Sequence, residues 1–235
     1  MAEYICFIPA RAGSKRVPKK NIKHLNSIPL INYTIDFALQ ISDKKNVYIS
    51  SDSEEIEEIS SQLNVQFHKR PSKFAQDKTS MLETTLNFIE TNNISDEVNI
   101  ILLQPTNPFR DKEFFLRLKN LYESSENASA AISLLRCSFF HPSKIGDLTT
   151  KNFFKTLSID PENNIDNHNK KPYYVISGTY YIVNVQDLKN NKSFVGDNPV
   201  ALEEDASSFC NIDTPMDFKM AEIMSNKSYK YNLNI

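Results

Sequence analysis

Over residues 4–135, short apolar runs alternate with amphipathic stretches. The runs at 4–8, 47–50, 65–67, 98–103 and 130–135 are brief and mostly aliphatic, which predicts buried strands. Residues 29–41 place Leu30, Tyr33, Ile35, Phe37, Ala38 and Ile41 roughly on one side, the spacing of an amphipathic helix. Residues 53–63 predict a second helix, with Ser53 as N-cap and Glu54, Glu55, Glu57 and Glu58 near the positive end of its dipole. Asn64 closes it. Two more helices are predicted at 81–92 and at 111–124, the latter capped by Asp111. A parallel crossover needs about a dozen residues and usually a helix. The alternation therefore predicts an α/β fold, a doubly wound, mostly parallel sheet with helices on both faces.

The rhythm breaks after Arg136. Residues 137–172 are polar, rich in Asn and Lys, and without helical period. A loop this long is functional or packs on a partner, so 137–172 is expected to be an inserted arm. Residues 173–185 return to strand composition, with Gly178 as a bulge or a point of close approach. Thr214, Pro215 and Asp217 predict the start of a last helix, as N-cap, first-turn proline and capping acid. Residues 233–235 are expected to fray. The chain, 1–235, contains no internal repeat and is expected to form a single domain carrying the arm.

Composition narrows the function. The 235 residues are 40% hydrophobic and 24% charged, a globular balance. The 27 cations against 29 acids leave a net charge of -2, so neither nucleic acid nor an anionic membrane is an expected partner. No stretch approaches the roughly 20 apolar residues of a membrane helix. The N-terminal apolar run is short, with no basic residue before it, unlike a signal peptide. Cys6, Cys137 and Cys210 are far apart and form no C-x-x-C pair. That spacing argues against a disulfide scaffold or a zinc ribbon, and for a reducing cytoplasmic location.

The most informative segment is Pro9-Ala-Arg-Ala-Gly-Ser-Lys-Arg-Val-Pro-Lys-Lys-Asn21, directly after the first strand. Ligands of open α/β sheets bind at that carboxyl edge. Arg11, Lys15, Arg16, Lys19 and Lys20 could neutralise a polyphosphate, and Gly13 beside Ser14 lets a ligand approach the backbone. The segment lacks the second glycine and the Gly-Lys-Ser/Thr end of a Walker A loop. A solvated basic loop is the plainer alternative. Asp52, after the second strand, faces a ligand or simply leads a helix. Gln104-Pro-Thr-Asn-Pro-Phe-Arg110 follows the most apolar strand. Its Gln104, Thr106 and Asn107 could donate to and accept from a polyhydroxylated sugar, or the two prolines could make it a rigid turn. Arg110 suits a carboxylate clamp or a pair with Asp111 or Glu113. Asn211-Ile-Asp213 is the metal candidate, because Mg²⁺ prefers one or two carboxylates beside substrate phosphates and waters; Asp213 could equally cap the last helix.

The basic segment resembles the signature loop of the acylneuraminate cytidylyltransferases, the CMP-sialic acid synthetases, with relatives acting on legionaminic and pseudaminic acids. The resemblance continues through Ile49-Ser-Ser-Asp52, Lys69-Arg-Pro71 with Ala75-Gln-Asp77, Leu103-Gln-Pro-Thr-Asn-Pro-Phe-Arg110 and Asn211-Ile-Asp-Thr214. It implies a Rossmann-like nucleotidyltransferase, a homodimer whose arm crosses to the partner, and Mg²⁺. It assigns Arg11 and Lys20 to the phosphates and the chemistry, with Gly13, Ser14 and Lys15 beside them. Asn21, Arg70, Thr79 and Ser80 would hold the nucleotide, and Asp213 with Asn211 the metal.

Two departures stand out. The family usually carries Asp where this chain has Asn211, which can ligate only through its neutral carbonyl. The family's arginine near the sugar is missing upstream of Ser177-Gly-Thr-Tyr-Tyr181, where Tyr181 joins the sugar set. Lys144, Lys170 or Lys171 could supply a point charge instead, without the fork of Arg. His141 and His168 fit no metal or triad pattern. The implied reaction is CTP plus an acidic nine-carbon sugar giving the CMP-sugar and pyrophosphate. Alternatives are a Kdo or sugar-phosphate nucleotidyltransferase, and a non-catalytic nucleotide-binding protein on the same fold.

Overall fold

The computed structural model describes residues 3–137, 145–150, 153–156 and 172–228. A seven-stranded sheet forms its centre. Strands β1 (Tyr4–Pro9), β4 (Val47–Ser51), β5 (Gln66–Lys69) and β6 (Asn99–Leu102) are parallel, as are β7 (Ala130–Arg136) and β11 (Pro199–Glu203). Strand β10 (Tyr174–Asn184) lies antiparallel between β6 and β7. The order is β11-β7-β10-β6-β1-β4-β5. The chain runs outward from β1 through β4 and β5, then returns to β6 on the other side of β1. That reversal opens a crevice at the carboxyl end of β1.

The period of two along each strand splits the core. Cys6 and Ile8 of β1 meet Ile31, Ile35 and Phe37 of α1 (Leu30–Ile41), Ile56 of α2 (Glu54–Leu63) and Phe115 of α4 (Lys112–Ser124). Ile5 and Phe7 face the opposite way, toward Phe88 and Ile89 of α3 (Met81–Thr91) and Leu188 of α5 (Val185–Asn191). Each fully buried side chain of this size stabilises by roughly 1.5–3 kcal/mol. A third cluster docks α6 (Pro215–Ser228): Phe218 and Ala221 pack on Leu25, Leu30 and Tyr33.

The capping residues expected from sequence are in place. Ser53 Oγ accepts from the Ile56 amide and Asp111 Oδ1 from the Phe114 amide. Asn64 ends α2 in the left-handed conformation. Strands β2 (His24–Leu25) and β3 (Ile28–Pro29) form a small hairpin whose turn residues, Asn26 and Ser27, both have positive φ, as a type I′ turn requires.

The sequence pattern assigned no helix or strand between 186 and 213, yet most of α5 and all of β11 lie there. Helix α5 is only one to two turns long, and β11 is an edge strand of four apolar residues and a glutamate, too short for periodicity to decide. Within the expected arm, β8 (Gly146–Leu148) and β9 (Phe154–Thr156) pair as an antiparallel hairpin. Lys144, Lys170, Lys171, His141, His168 and the tail 233–235 lie outside the described residues.

Candidate active site

The crevice is built from the ends of β1, β4, β5 and β6. It holds a cleft of about 200 Å³ lined by Arg11, Gly13, Ser14, Lys20, Asn21, Arg70, Thr79, Gln104 and Thr106. Nine residues singled out in the sequence thus share one concavity. A larger cleft of about 990 Å³ lies between α4, β11 and α6, and contains none of the basic loop. The smaller one is where the residues singled out in the sequence gather.

The basic loop is tied down at several points. The Ala12 amide donates to Asp52 Oδ1 at 2.7 Å, so Asp52 is an anchor for the loop. Asn21 Nδ2 donates to the Arg11 carbonyl at 2.9 Å. Lys19 adopts φ +52°, a costly left-handed turn for a lysine, and its ammonium pairs with Glu55 at 2.7 Å. The next residue, Lys20, is thereby turned inward. Its Nζ donates to the Ile212 carbonyl at 2.6 Å and stands 3.4 Å from Asp213 Oδ1. Burial lowers the Lys20 pKa, and Asp213 partly restores it. Arg11 and Lys15 share the Asp77 carboxylate, and these pairs hold Asp77 below the usual carboxylate range. Asp77 was quoted only as part of a motif; its role as counter-ion needed the fold.

Arg70 is buried at the end of β5. Burial pulls its pKa down to about 10, against the attraction of Asp52. Its Nε and Nη2 are held by Ser50, leaving Nη1 as the guanidinium nitrogen with no partner among the described residues, on a side chain that lines the cleft. Thr79 Oγ1 donates to the Lys73 carbonyl at 3.2 Å and also lines the cleft. Ser80 is occupied elsewhere, as N-cap of α3 in a capping box with Glu83.

The sugar candidates divide. Gln104 and Thr106 line the cleft. A Cβ on Gly178 would stand 3.9 Å from both Gln104 Nε2 and the Tyr181 hydroxyl, so these two side chains converge on a position kept open by glycine. Gly178 has φ +81° and sits where the β7–β10 register shifts, as a bulge would. Asn107 does not join them. It is 2% exposed and donates to the Cys210 carbonyl at 3.3 Å, bracing the segment that carries Asp213. Arg110 is likewise a brace, donating to the Gln104 carbonyl at 2.8 Å, Thr34 Oγ1 at 3.0 Å and the Thr179 carbonyl at 3.3 Å.

Asp213 and Asn211 stand together at the rim, with Asn211 Nδ2 3.4 Å from Asp213 Oδ2. The Asp217 carboxylate accepts from the Asp213 and Thr214 amides, and Thr214 Oγ1 caps the Asp217 amide, so the expected helix start also fixes this segment. Capping therefore falls to Thr214 and Asp217, and the Asp213 carboxylate stays half exposed. No group of three or more His, Cys, Asp or Glu suited to a metal occurs among the described residues. One carboxylate plus one amide carbonyl beside a cleft lined by Arg11 and Lys20 still fits Mg²⁺, which takes few protein ligands.

A doubly wound sheet with cations gathered at its switch point defines a nucleotide-binding α/β protein of nucleotidyltransferase type. The model of a family described as cytidylyltransferase matches residues 5–181, and the chain belongs to that family. It is 32% identical over 98% of its length to an N-acylneuraminate cytidylyltransferase of Escherichia coli O18:K1:H7, of which it spans 54%, about half. It is 30% identical to a CMP-N,N'-diacetyllegionaminic acid synthase of Legionella pneumophila, covering 93% of this chain and 94% of that protein. In structure it resembles a CMP:2-keto-3-deoxy-manno-octonic acid synthetase complexed with CTP, with a TM-score of 0.68 at 16% identity over 96% of this chain and all of the other. At that identity the likeness concerns the fold alone. No helix among the described residues is long and apolar enough to cross a membrane.

Proposed function

We propose that this chain is a CTP-dependent enzyme that activates an acidic nine-carbon α-keto sugar of sialic, legionaminic or pseudaminic type. The products are the CMP-sugar and pyrophosphate. The observation that carries the reading is the convergence of Arg11, Lys20 and Arg70 with Gln104 and Thr106 in one cleft, with Asp213 at its rim. The names borne by the relatives point the same way.

In this reading Arg11, Lys15 and Lys20 take the triphosphate, and Asp77 releases its two cations to it. Arg70 offers Nη1 to the cytosine, whose O2 and N3 are acceptors. The anomeric hydroxyl of the sugar attacks the α-phosphorus and gives up its proton toward Asp213; the new P–O bond forms as the bond from the α-phosphorus to the bridging oxygen breaks, its electron pair leaving with pyrophosphate. Negative charge grows on the departing pyrophosphate, and fixed cations in a half-enclosed cleft stabilise it without reorganising. Gln104 and the Tyr181 hydroxyl orient the sugar, which supplies the positional part of the rate. Asp213 and Asn211 would hold Mg²⁺, whose chemistry when bound is to neutralise phosphate charge.

We extend the reading to a cytoplasmic homodimer. Its support is the exposure of large apolar side chains along the arm and the adjoining end of β10: Leu148, Phe153, Phe154 and Val175 are each more than half exposed. The free cysteines suit a reducing compartment.

The test is pyrophosphate release with Mg²⁺ and each of CTP, UTP, ATP and GTP, against N-acetylneuraminic, legionaminic, pseudaminic and Kdo acids. Turnover confined to CTP and a nine-carbon acid is expected. Turnover with Kdo alone would move the chain to the eight-carbon branch. Tight CTP binding without turnover on any acid would favour a nucleotide-binding protein.

A further inference from the structure

Behind Arg70 the sheet interior turns polar. Ser50 of β4 and His68 of β5 are register partners, flanked by the apolar pair Ile49 and Phe67. Both are buried. Ser50 Oγ lies 3.0 Å from His68 Nδ1 and accepts from Arg70 Nε at 3.1 Å, while the Ser50 carbonyl accepts from Arg70 Nη2 at 2.7 Å. The carbonyl contact would survive any change of side chain. The hydroxyl is therefore what fixes the rotation of the guanidinium plane, and His68 is what fixes the hydroxyl.

The arrangement is costly. His68 Nε2 is buried without a partner among the described residues, and the ring packs edge-on against Phe88 at 5.6 Å. A phenyl ring would serve that packing better, without a desolvated nitrogen. A polar group kept at a loss in a core, two residues from a cleft arginine, calls for a role outside packing.

We propose that Ser50 and His68 are positioning residues, a buried relay that fixes the plane of Arg70 and so sets the affinity of the cleft for the nucleotide base. The inference rests on the cytidylyltransferase reading, in which Arg70 meets cytosine. It names no contact between Ser50 or His68 and substrate. Their effect passes through Arg70 alone, so the phosphate half of the cleft is left untouched.

The experiment compares Ser50→Ala, His68→Phe and His68→Asn with the wild type, reading the Kd of CTP, the Kd of inorganic tripolyphosphate and the melting temperature. Asparagine can turn either its amide nitrogen or its amide oxygen to the position of the histidine Nδ1, and so can donate to or accept from the Ser50 hydroxyl; phenylalanine keeps the ring and loses the nitrogen. S50A loses a hydrogen bond to the charged guanidinium and H68F the partner that fixes that hydroxyl; each is expected to weaken CTP about tenfold. Tripolyphosphate should stay within about twofold, since sites without shared partners are nearly additive. The result expected is crossed: H68F melts no lower than wild type yet binds CTP poorly, while H68N melts lower yet binds CTP well. Wild-type CTP affinity in H68F would overturn the relay. So would binding that follows stability in all three variants, or equal loss of both ligands. If the wild type bound tripolyphosphate but not CTP, the cytidylyltransferase reading itself would fall, and the relay with it.

Discussion

Acid should destabilise this protein through His68 before it protonates most carboxylates. The ordinary imidazole value is 6.5, and in the fold burial, with the Arg70 charge second, pushes His68 down to about 4. The unfolded chain therefore binds a proton between those values that the native chain refuses. Stability is unaffected above about pH 6.5 and falls as pH drops toward 4, because the unfolded state holds more protons there. At about 1.4 kcal/mol per pH unit, a depression of that size removes roughly 3 kcal/mol across the window. That is a large share of the 5–15 kcal/mol typical of a native domain, taken here as an order of magnitude.

Urea unfolding of wild type and His68→Phe, from about pH 7 to about pH 4.5, isolates the effect. Asp77, Glu83, Asp205 and Asp217 are all held below the ordinary carboxylate range. Their contribution is present above that range and lost only as pH falls through their depressed values, and it is common to both proteins. The difference between wild type and variant should thus widen steadily on acidification. A difference that stays flat would refute the account of a buried neutral imidazole.

Other perturbations follow from the same geometry. Lys20→Met removes a half-buried cation from the cleft and should lower kcat by about 100-fold or more, with circular dichroism unchanged. Asn211→Asp adds a charge to the rim and should lower the Mg²⁺ concentration for half-maximal rate on the order of tenfold, read by metal titration. Gly178→Ala meets its neighbours only at ordinary contact distance, so its cost lies in the backbone: about 1–2 kcal/mol in chemical unfolding, with a raised KM for the sugar. Phe115→Ala opens a cavity beside Phe37 and Tyr180 and should cost about 3–5 kcal/mol without changing substrate preference.

The elements with long apolar period and clear caps were legible in the chain itself. α1, α2, α3 and α4 begin and end within a residue or two of expectation, helped in α2 and α4 by the Ser53 and Asp111 caps read from the chain; the cap of α3, Ser80, was instead expected at the nucleotide. The antiparallel run of β10 was not legible, since strand direction is decided by where the chain returns and not by its own residues. The place of the basic loop at the cleft could be read because a segment directly after the first strand lies at the carboxyl edge of the sheet. Asn107 misled for the converse reason: an amide suits a sugar and a scaffold equally, and only burial against the Cys210 carbonyl separates them. Ser50 and His68 gave no signal, because a serine and a histidine 18 residues apart become a pair only through the β4–β5 register.

The central claim is transfer of a cytidylyl group to an acid sugar. Phosphorus NMR of the full reaction, with CTP, Mg²⁺ and legionaminic or N-acetylneuraminic acid, observes the new bond directly. A phosphodiester resonance growing in step with pyrophosphate, and absent without the sugar, is the predicted result. Pyrophosphate accompanied only by free CMP, or CTP left intact with every acid supplied, would contradict it.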